Sequence, residues 1–371
     1  MNSLKRITLV HPANELYGSD KMFLLIVETV RKSYSDAIIN VVLPCEGPLS
    51  ELLQKFNVNL IIRPLGILRK AELKKLDFSV FTRLFTNRKF YHDLLKETDL
   101  LYINTAVVLD FIIYSRFYKL KKFIHIHEIP TGASKTLFFT LIKYCKASLI
   151  HISKAVQLPF STINTRHFIV PNGIQAIPEQ PVRETSSGKI NILLIGRINN
   201  WKGQNLLVEA VDKLSDELKN QIDVRIVGDV YGDQIHFKND LLENIKHRNL
   251  EHLVKVLPFS PTPEIHYNWS DIVVIPSLKP EPFGLVAIEG MSVGKVVIAA
   301  NHGGLTEIIE DNVSGILFTP NDSAELAEKI SGIVLNPAVQ EKFYTNAIKA
   351  YKESYTPEVY INNLMSILKI Q

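Results

Sequence analysis

Short apolar runs alternate along this chain with longer segments whose apolar positions recur at helical spacing. The runs lie at residues 6–10, 38–43, 60–62, 100–103, 123–126, 148–152 and 168–170, and again at 190–195, 224–227, 254–257, 272–275 and 296–299. Strands covered on both faces read as unbroken apolar runs of this kind, and helical segments such as 20–32 and 48–56 fall between them. This rhythm predicts doubly wound parallel sheets. It breaks at 66–97, a largely helical and basic insertion without a clear strand, and at 175–188, where Pro178-Glu179-Gln180-Pro181 belongs to a polar stretch that reads as linker. The pattern therefore predicts an α/β chain with two Rossmann-like domains, 1–174 and 189–356, joined by 175–188. A last helix over 357–371 carries Val359, Tyr360, Leu364, Ile367 and Leu368 at apolar positions. It either closes the second domain or returns to the first.

A chain of 371 residues exceeds one comfortable core, in keeping with two domains. Its 46% hydrophobic and 22% charged residues are ordinary for a soluble globular protein. No apolar run reaches the roughly 18 residues of a membrane span. The first residues pass directly into a strand without a signal-peptide core, and Cys45 and Cys145 imply no disulfide framework. The expected location is the cytoplasm. Charge changes this picture, because residues 1–172 hold 24 Lys and Arg against 13 Asp and Glu, while the rest hold 18 against 25. A basic half joined to an acidic half suggests that one half alone meets an anionic partner. Arg69-Lys70 with Lys74-Lys75, and Arg116 through Phe123 with Lys119, Lys121 and Lys122, suit an anionic inner-membrane surface. An ordinary solvated basic face suits them equally. No nucleic-acid motif appears, so nucleic acid is not the expected partner.

The candidate chemistry gathers at Pro280-Glu281-Pro282-Phe283-Gly284-Leu285-Val286-Ala287-Ile288-Glu289-Gly290. The apolar run before it is a buried strand, and helical spacing resumes near Phe283 or Gly284. A helix N-terminus there presents free N–H groups and partial positive charge to a phosphate or to hydroxyls. Glu281 stands just before the helix and Glu289 inside it, so the two carboxylates can accept hydrogen bonds on either side of a diphosphate. Either glutamate alone would be an ordinary surface residue; the pair around Pro-Phe-Gly is more specific. Gly196-Arg197 ends the first strand of the second domain, and Lys202-Gly203 follows before a helix. Ligands of open α/β sheets sit at such strand ends, which suits Arg197 and Lys202 to two phosphates. Gly18 opens the first helix after a strand and permits close backbone approach; Ser19 or Asp20 would otherwise be a simple helix cap. His125 and His127 share one strand face, but no third ligand at metal-binding spacing accompanies them. Gly303-Gly304-Leu305-Thr306-Glu307 reads as support for the site, and Val227-Gly228-Asp229 as a nucleotide contact or an ordinary turn. There is no Asp-x-Asp for a metal-bridged diphosphate and no Gly-x-Gly-x-x-Gly after a strand for a dinucleotide.

The Glu281–Glu289 segment resembles the signature of retaining GT-B glycosyltransferases, particularly family 4, the glycosyl transferases group 1. The resemblance implies two Rossmann-like domains facing a cleft, with the first taking the acceptor and the second the nucleotide sugar. It implies that Glu281 faces the donor sugar, that the backbone of Phe283, Gly284, Leu285 and Val286 meets sugar and phosphate, and that Glu289 holds the ribose. Gly196, Arg197 and Lys202 match the family's phosphate clamp. Gly18 stands where the family has a glycine pair, of which Ser19 replaces the second member. His127 matches the histidine near the sugar's primary hydroxyl more closely than His125 does. The expected activity is retaining transfer of a hexosyl unit from a UDP- or GDP-sugar to a glycan acceptor, lipid-linked, in bacterial surface polysaccharide synthesis. No cofactor and no metal are expected. A nucleotide-sugar epimerase on the same scaffold is the alternative enzyme, and a non-catalytic nucleotide-binding subunit the alternative outside catalysis.

Overall fold

The computed structural model describes residues 4–15, 18–67, 86–130, 133–179, 188–232, 234–336 and 338–369, and among these thirteen strands, all paired in parallel, form two separate sheets. The described residues up to Asn172, with those from Tyr360 onward, make one compact unit, and Gly173–Val359 makes the other.

The first unit holds β1 (Arg6–Val10), β2 (Ile38–Leu43), β3 (Asn59–Ile62), β4 (Leu100–Asn104), β5 (Lys121–Ile126), β6 (Ser148–His151) and β7 (His167–Ile169) in the order β3-β2-β1-β4-β5-β6-β7. From β1 the chain winds outward to β3, then crosses back to place β4 on the other flank of β1. Strand order thus reverses between β1 and β4, and such a switch point leaves a crevice at the carboxyl ends of the strands. All five residues of β4 are buried, because helices cover both faces of the sheet. The helix Gly18–Ser33 turns Met22, Phe23, Ile26, Val27 and Val30 onto this core.

The core of the first unit is completed from far along the chain. The helix Pro357–Lys369 sends Tyr360, Leu364, Met365, Ile367 and Leu368 among Ile7, Leu9, Phe23 and Tyr102. Of the two placements open to that helix, the structure has the return to the first sheet. Full burial of each such large side chain contributes about 1.5–3 kcal/mol.

The second unit holds β8 (Ile190–Ile195), β9 (Ile222–Val227), β10 (Val254–Leu257), β11 (Ile272–Ile275), β12 (Val296–Ala300) and β13 (Ile316–Phe318) in the order β10-β9-β8-β11-β12-β13. Its switch point lies between β8 and β11. The apolar rhythm does not announce β13, whose three residues are too few to stand out beside their neighbours. Helices are capped where the sequence supplies caps: Asp322 accepts from the N–H groups of Ala324 and Glu325 at the start of Ser323–Leu335. Among the described residues, no helix is long and apolar enough to cross a membrane.

Candidate active site

In the second unit the site is built from the loops that leave β8 and β11 at the switch point. After β8, Asn199 Oδ1 accepts from the backbone N–H groups of Trp201 and Lys202, each at 3.0 Å, and folds the chain back on itself. Gly203 then takes φ +79° as the helix Gln204–Asp212 begins. A Cβ at Gly203 would lie 1.8 Å from the Pro276 carbonyl oxygen, so glycine alone lets the two loops touch.

That contact brings together the cation of one loop and the carboxylate of the other. Lys202 Nζ donates to Glu281 Oε1 at 2.6 Å, and Ser277 Oγ donates to the same oxygen at 2.6 Å. The Glu281 side chain is only 7% exposed and that of Lys202 is 22% exposed, so the pair is largely withdrawn from water. A buried carboxylate needs its partners, and both are present. Lys202 also lies 4.5 Å from the Trp201 ring centroid. Arg197 is exposed beyond the end of β8, its guanidinium 5.0 Å over the Tyr231 ring. Gly196 closes β8 by donating its N–H to the Val227 carbonyl at 2.9 Å.

Glu281 is held from behind by the glycine pair. Gly303 bridges to it in parallel, and Gly304 N–H donates to the Glu281 carbonyl at 2.8 Å. Gly303 has φ +64°, and a Cβ there would come within 2.4 Å of the Glu281 carbonyl oxygen. Phe283 is buried with its ring edge on Tyr355, which leaves its backbone as the part that can meet a ligand. Gly284, Leu285 and Val286 are half-buried at the start of the helix Leu285–Ser292. Glu289, inside that helix, accepts from the hydroxyl of buried Tyr267. Asp229 accepts from Val230 N–H at 2.9 Å and from Lys238 Nζ at 3.2 Å. Sequence reading missed Ser277 and Tyr267, since neither stands in a motif of its own.

The first unit has its own polar cluster at the carboxyl ends of β1, β4 and β5. His125 is fully buried, with Nδ1 against the Tyr102 hydroxyl, and burial together with His127 and His151 holds its pKa well below the ordinary value. His127, just past β5, is half-buried; its Nε2 is 2.8 Å from Asn104 Oδ1. Burial first, and His11 second, push its pKa down to about 3, so the ring is neutral at neutral pH. Gly18 is the first residue of its helix and half-exposed. Asp20 sits in the first turn of that helix, 1% exposed, with Oδ1 2.6 Å from His11 Nε2. His11 and Asn104 escaped the sequence reading because their contacts join residues nine and 93 positions apart.

Of the basic clusters, Arg69, Lys70, Lys74 and Lys75 lie outside the described residues. In the second cluster Lys122 is turned inward, donating to the Ser115 carbonyl at 3.0 Å, and burial lowers its pKa. That correction leaves Arg116, Lys119 and Lys121 for any anionic surface. Among the described residues, no three His, Cys, Asp or Glu side chains are grouped so as to hold a metal ion.

The fold is GT-B. The Anabaena protein HepE in complex with UDP and glucose shares it with a TM-score of 0.78 at 23% identity, over 99% of this chain and 100% of that one. A glycosyltransferase from Rickettsia africae shares it with a TM-score of 0.76 at 20% identity, over the whole of both chains. Residues 177–350, within the second unit, match the family described as Glycosyl transferases group 1, the family that the Glu281–Glu289 segment resembles. An uncharacterized glycosyltransferase of Methanocaldococcus jannaschii is 30% identical over 182 residues, 48% of this chain and 44% of that protein. A D-inositol 3-phosphate glycosyltransferase of Geodermatophilus obscurus is also 30% identical over 182 residues, 46% and 40% of the two chains. The chain thus spans less than half the length of these curated relatives.

Proposed function

We propose that the protein is a retaining glycosyltransferase that moves a hexosyl unit from a nucleoside diphosphate sugar to a hydroxyl of a glycan acceptor. The observation that carries this reading is the convergence of Lys202, Ser277 and Glu281 at the switch point of the second sheet, beside exposed Arg197 and the helix start at Leu285. Cations and N–H dipoles there suit a diphosphate, and a carboxylate lies within one side-chain length of them. HepE, solved with UDP and glucose, makes UDP-hexoses the first donors to try.

In the reaction the bond from the anomeric carbon to the diphosphate oxygen breaks as the acceptor oxygen bonds on the same face. The acceptor proton passes to the departing phosphate. Arg197 and Lys202 stabilise the charge that gathers on that phosphate, so no metal ion is required. Glu281 accepts from sugar hydroxyls while Lys202 turns to the phosphate, and Glu289 accepts from the ribose. In the first unit, Gly18 approaches the phosphate and His127 meets the sugar. Catalysis is then a matter of position and field.

The acceptor is a lipid-linked glycan of a bacterial surface polysaccharide, met at the inner membrane face. Support comes from the helix Ala133–Cys145, which has no acidic residue, and from Phe117, 68% exposed, whose ring meets exposed Tyr144 edge-on near Arg116. Each basic residue near an anionic leaflet contributes about 1 kcal/mol, lost at high salt.

The test is a panel of UDP- and GDP-sugars. Bound donor raises the melting temperature by mass action, and the accepted donor is then incubated with glycan acceptors in EDTA. Transfer with the anomeric configuration kept is the expected result. Conversion of the donor alone to an isomeric sugar nucleotide, or an inverted product, would refute the reading.

A further inference from the structure

Four side chains in the first unit form one hydrogen-bonded chain across the carboxyl ends of β1, β4 and β5. Asp20 Oδ1 lies 2.6 Å from His11 Nε2, His11 Nδ1 lies 2.7 Å from Asn104 Nδ2, and Asn104 Oδ1 lies 2.8 Å from His127 Nε2. Asp20, His11 and Asn104 are all buried, and the His11 ring stacks on Phe23 at 4.5 Å. A group of this kind either ties the strands together or sets the state of the residue at its end.

The polarity of every link follows from the Asp20 end. A carboxylate oxygen accepts, so His11 Nε2 carries the proton of this link. Burial outweighs the opposing pull of Asp20 and keeps His11 on the neutral side of its usual range, so its Nδ1 holds a lone pair. Only the amide nitrogen of Asn104 can donate to that lone pair, and this turns Asn104 Oδ1 towards His127. The oxygen accepts, so His127 Nε2 is the protonated nitrogen. Its Nδ1 is left as an acceptor, on a ring that is only half-buried.

We propose that Asp20, acting through His11 and Asn104, locks His127 in the Nε2-protonated tautomer so that Nδ1 accepts a hydrogen bond from a sugar hydroxyl of the substrate. This rests on the glycosyl-transfer reading for the ligand, but not for the tautomer. Asp20, His11 and Asn104 are positioning residues. His127 is the group that touches substrate. A neutral imidazole takes whichever tautomer its other nitrogen's hydrogen bond selects, so the choice made at Asp20 is transmitted to His127.

The experiment labels the full chain with ¹⁵N-histidine and reads the His127 ring by long-range ¹H–¹⁵N correlation, with thermal melting in parallel. The wild type is expected to show the Nε2–H form alone. Asp20→Asn removes the fixed acceptor and is expected to bring in the Nδ1–H form. It should also lower turnover about 10- to 100-fold, the worth of one substrate hydrogen bond, with little change in KM for the nucleotide sugar. Asn104→Asp in the Asp20→Asn background offers His127 an acceptor whatever His11 does. That double variant is expected to regain the Nε2–H form and part of the turnover.

A simple cross-tie between strands predicts loss of stability in each variant and no recovery in the double one. An unchanged His127 tautomer in Asp20→Asn would overturn the lock. A restored tautomer without recovered turnover would overturn the contact with substrate. If Asp20→Asn does not fold, Asn104→Leu cuts the same chain one link later, and a single Nε2–H form in that variant also refutes the proposal. A wild type with the expected tautomer but no activity on any nucleotide sugar refutes the glycosyl-transfer reading alone.

Discussion

Both sheets reverse strand order once, and both gather polar side chains at that place, but by opposite means. In the second unit the group is charged: Lys202 and Glu281 pair across two loops, and Arg197 is exposed beyond them. In the first unit the group is imidazole and amide ending on one buried carboxylate, Asp20, and all of it is buried except His127. The difference suits the role proposed for each. A diphosphate needs mobile positive charge that can leave one anion for another, whereas a hydroxyl needs a lone pair held at one angle. Charge can be delivered by loops, provided glycines let them meet. Direction has to be delivered by buried hydrogen bonds that leave no alternative.

The largest effect should come from the charged group. Arg197→Ala or Lys202→Ala removes stabilisation made mainly in the transition state, and turnover should fall about 10²–10³-fold. Steady-state rates on the accepted donor check this. Near-normal rates in both variants would mean that the phosphates lie elsewhere and that the two groups do not divide the work as described.

Next comes the backbone that lets the loops meet. Gly303→Ala puts a methyl group against the Glu281 carbonyl at a residue with φ +64°. Strain and overpacking together should cost roughly 2–4 kcal/mol, read as a lower denaturation midpoint, with loss of activity at temperatures where the protein is still folded. A change of less than about 0.5 kcal/mol, the usual range for a surface substitution, would show the loop contact to be slack.

The two glutamates should separate by roughly tenfold effects on different constants, each the worth of a charged hydrogen bond. Glu281→Gln should lower turnover and spare the affinity for free nucleoside diphosphate, measured by calorimetry. Glu289→Ala should weaken that affinity. Exchange of the two phenotypes would reverse the orientation proposed for the donor.

The remaining prediction concerns acid. His127 and His151 have pKa values pushed down to about 3 by burial, so the unfolded chain binds more protons than the folded one between about pH 6.5 and 3. Their stabilisation is complete above pH 6.5 and is lost as pH falls through that window. Each should contribute a slope on the order of 1 kcal/mol per pH unit there. Denaturant titrations at pH 7.5, 6 and 5 should show the first unit losing stability before the second.

Much of this was legible in the sequence because all the parallel strands but β13 stand out as apolar runs. Leu100 to Ile103 and Val296 to Ala299 announce themselves as unbroken apolar runs. The charged group was legible too, since Glu281, Phe283, Gly284 and Glu289 lie within one stretch, and Arg197 and Lys202 within another. The neutral group was not. His11 and Asn104 follow one another in no motif; they meet because β1 and β4 are neighbours in a sheet whose order is settled only by folding. Asp20 reads locally as a candidate helix cap, and its buried partner His11 could not be read from that spacing. The return of the last helix was open for a similar reason: an amphipathic face says that something covers it, never what.

That return has a consequence for how the chain comes into being. A ribosome releases residues 173–359, a complete sheet with its own core, before it releases Tyr360, Leu364, Met365, Ile367 and Leu368. The half of the molecule made first is therefore the half finished last. Until the final helix arrives, Ile7, Leu9 and Phe23 lack part of their cover, and the nascent N-terminal half is the stretch most exposed to misassociation and to chaperones. A chain cut after Val359 would keep every residue proposed to touch substrate, and would still leave the first sheet without part of its core.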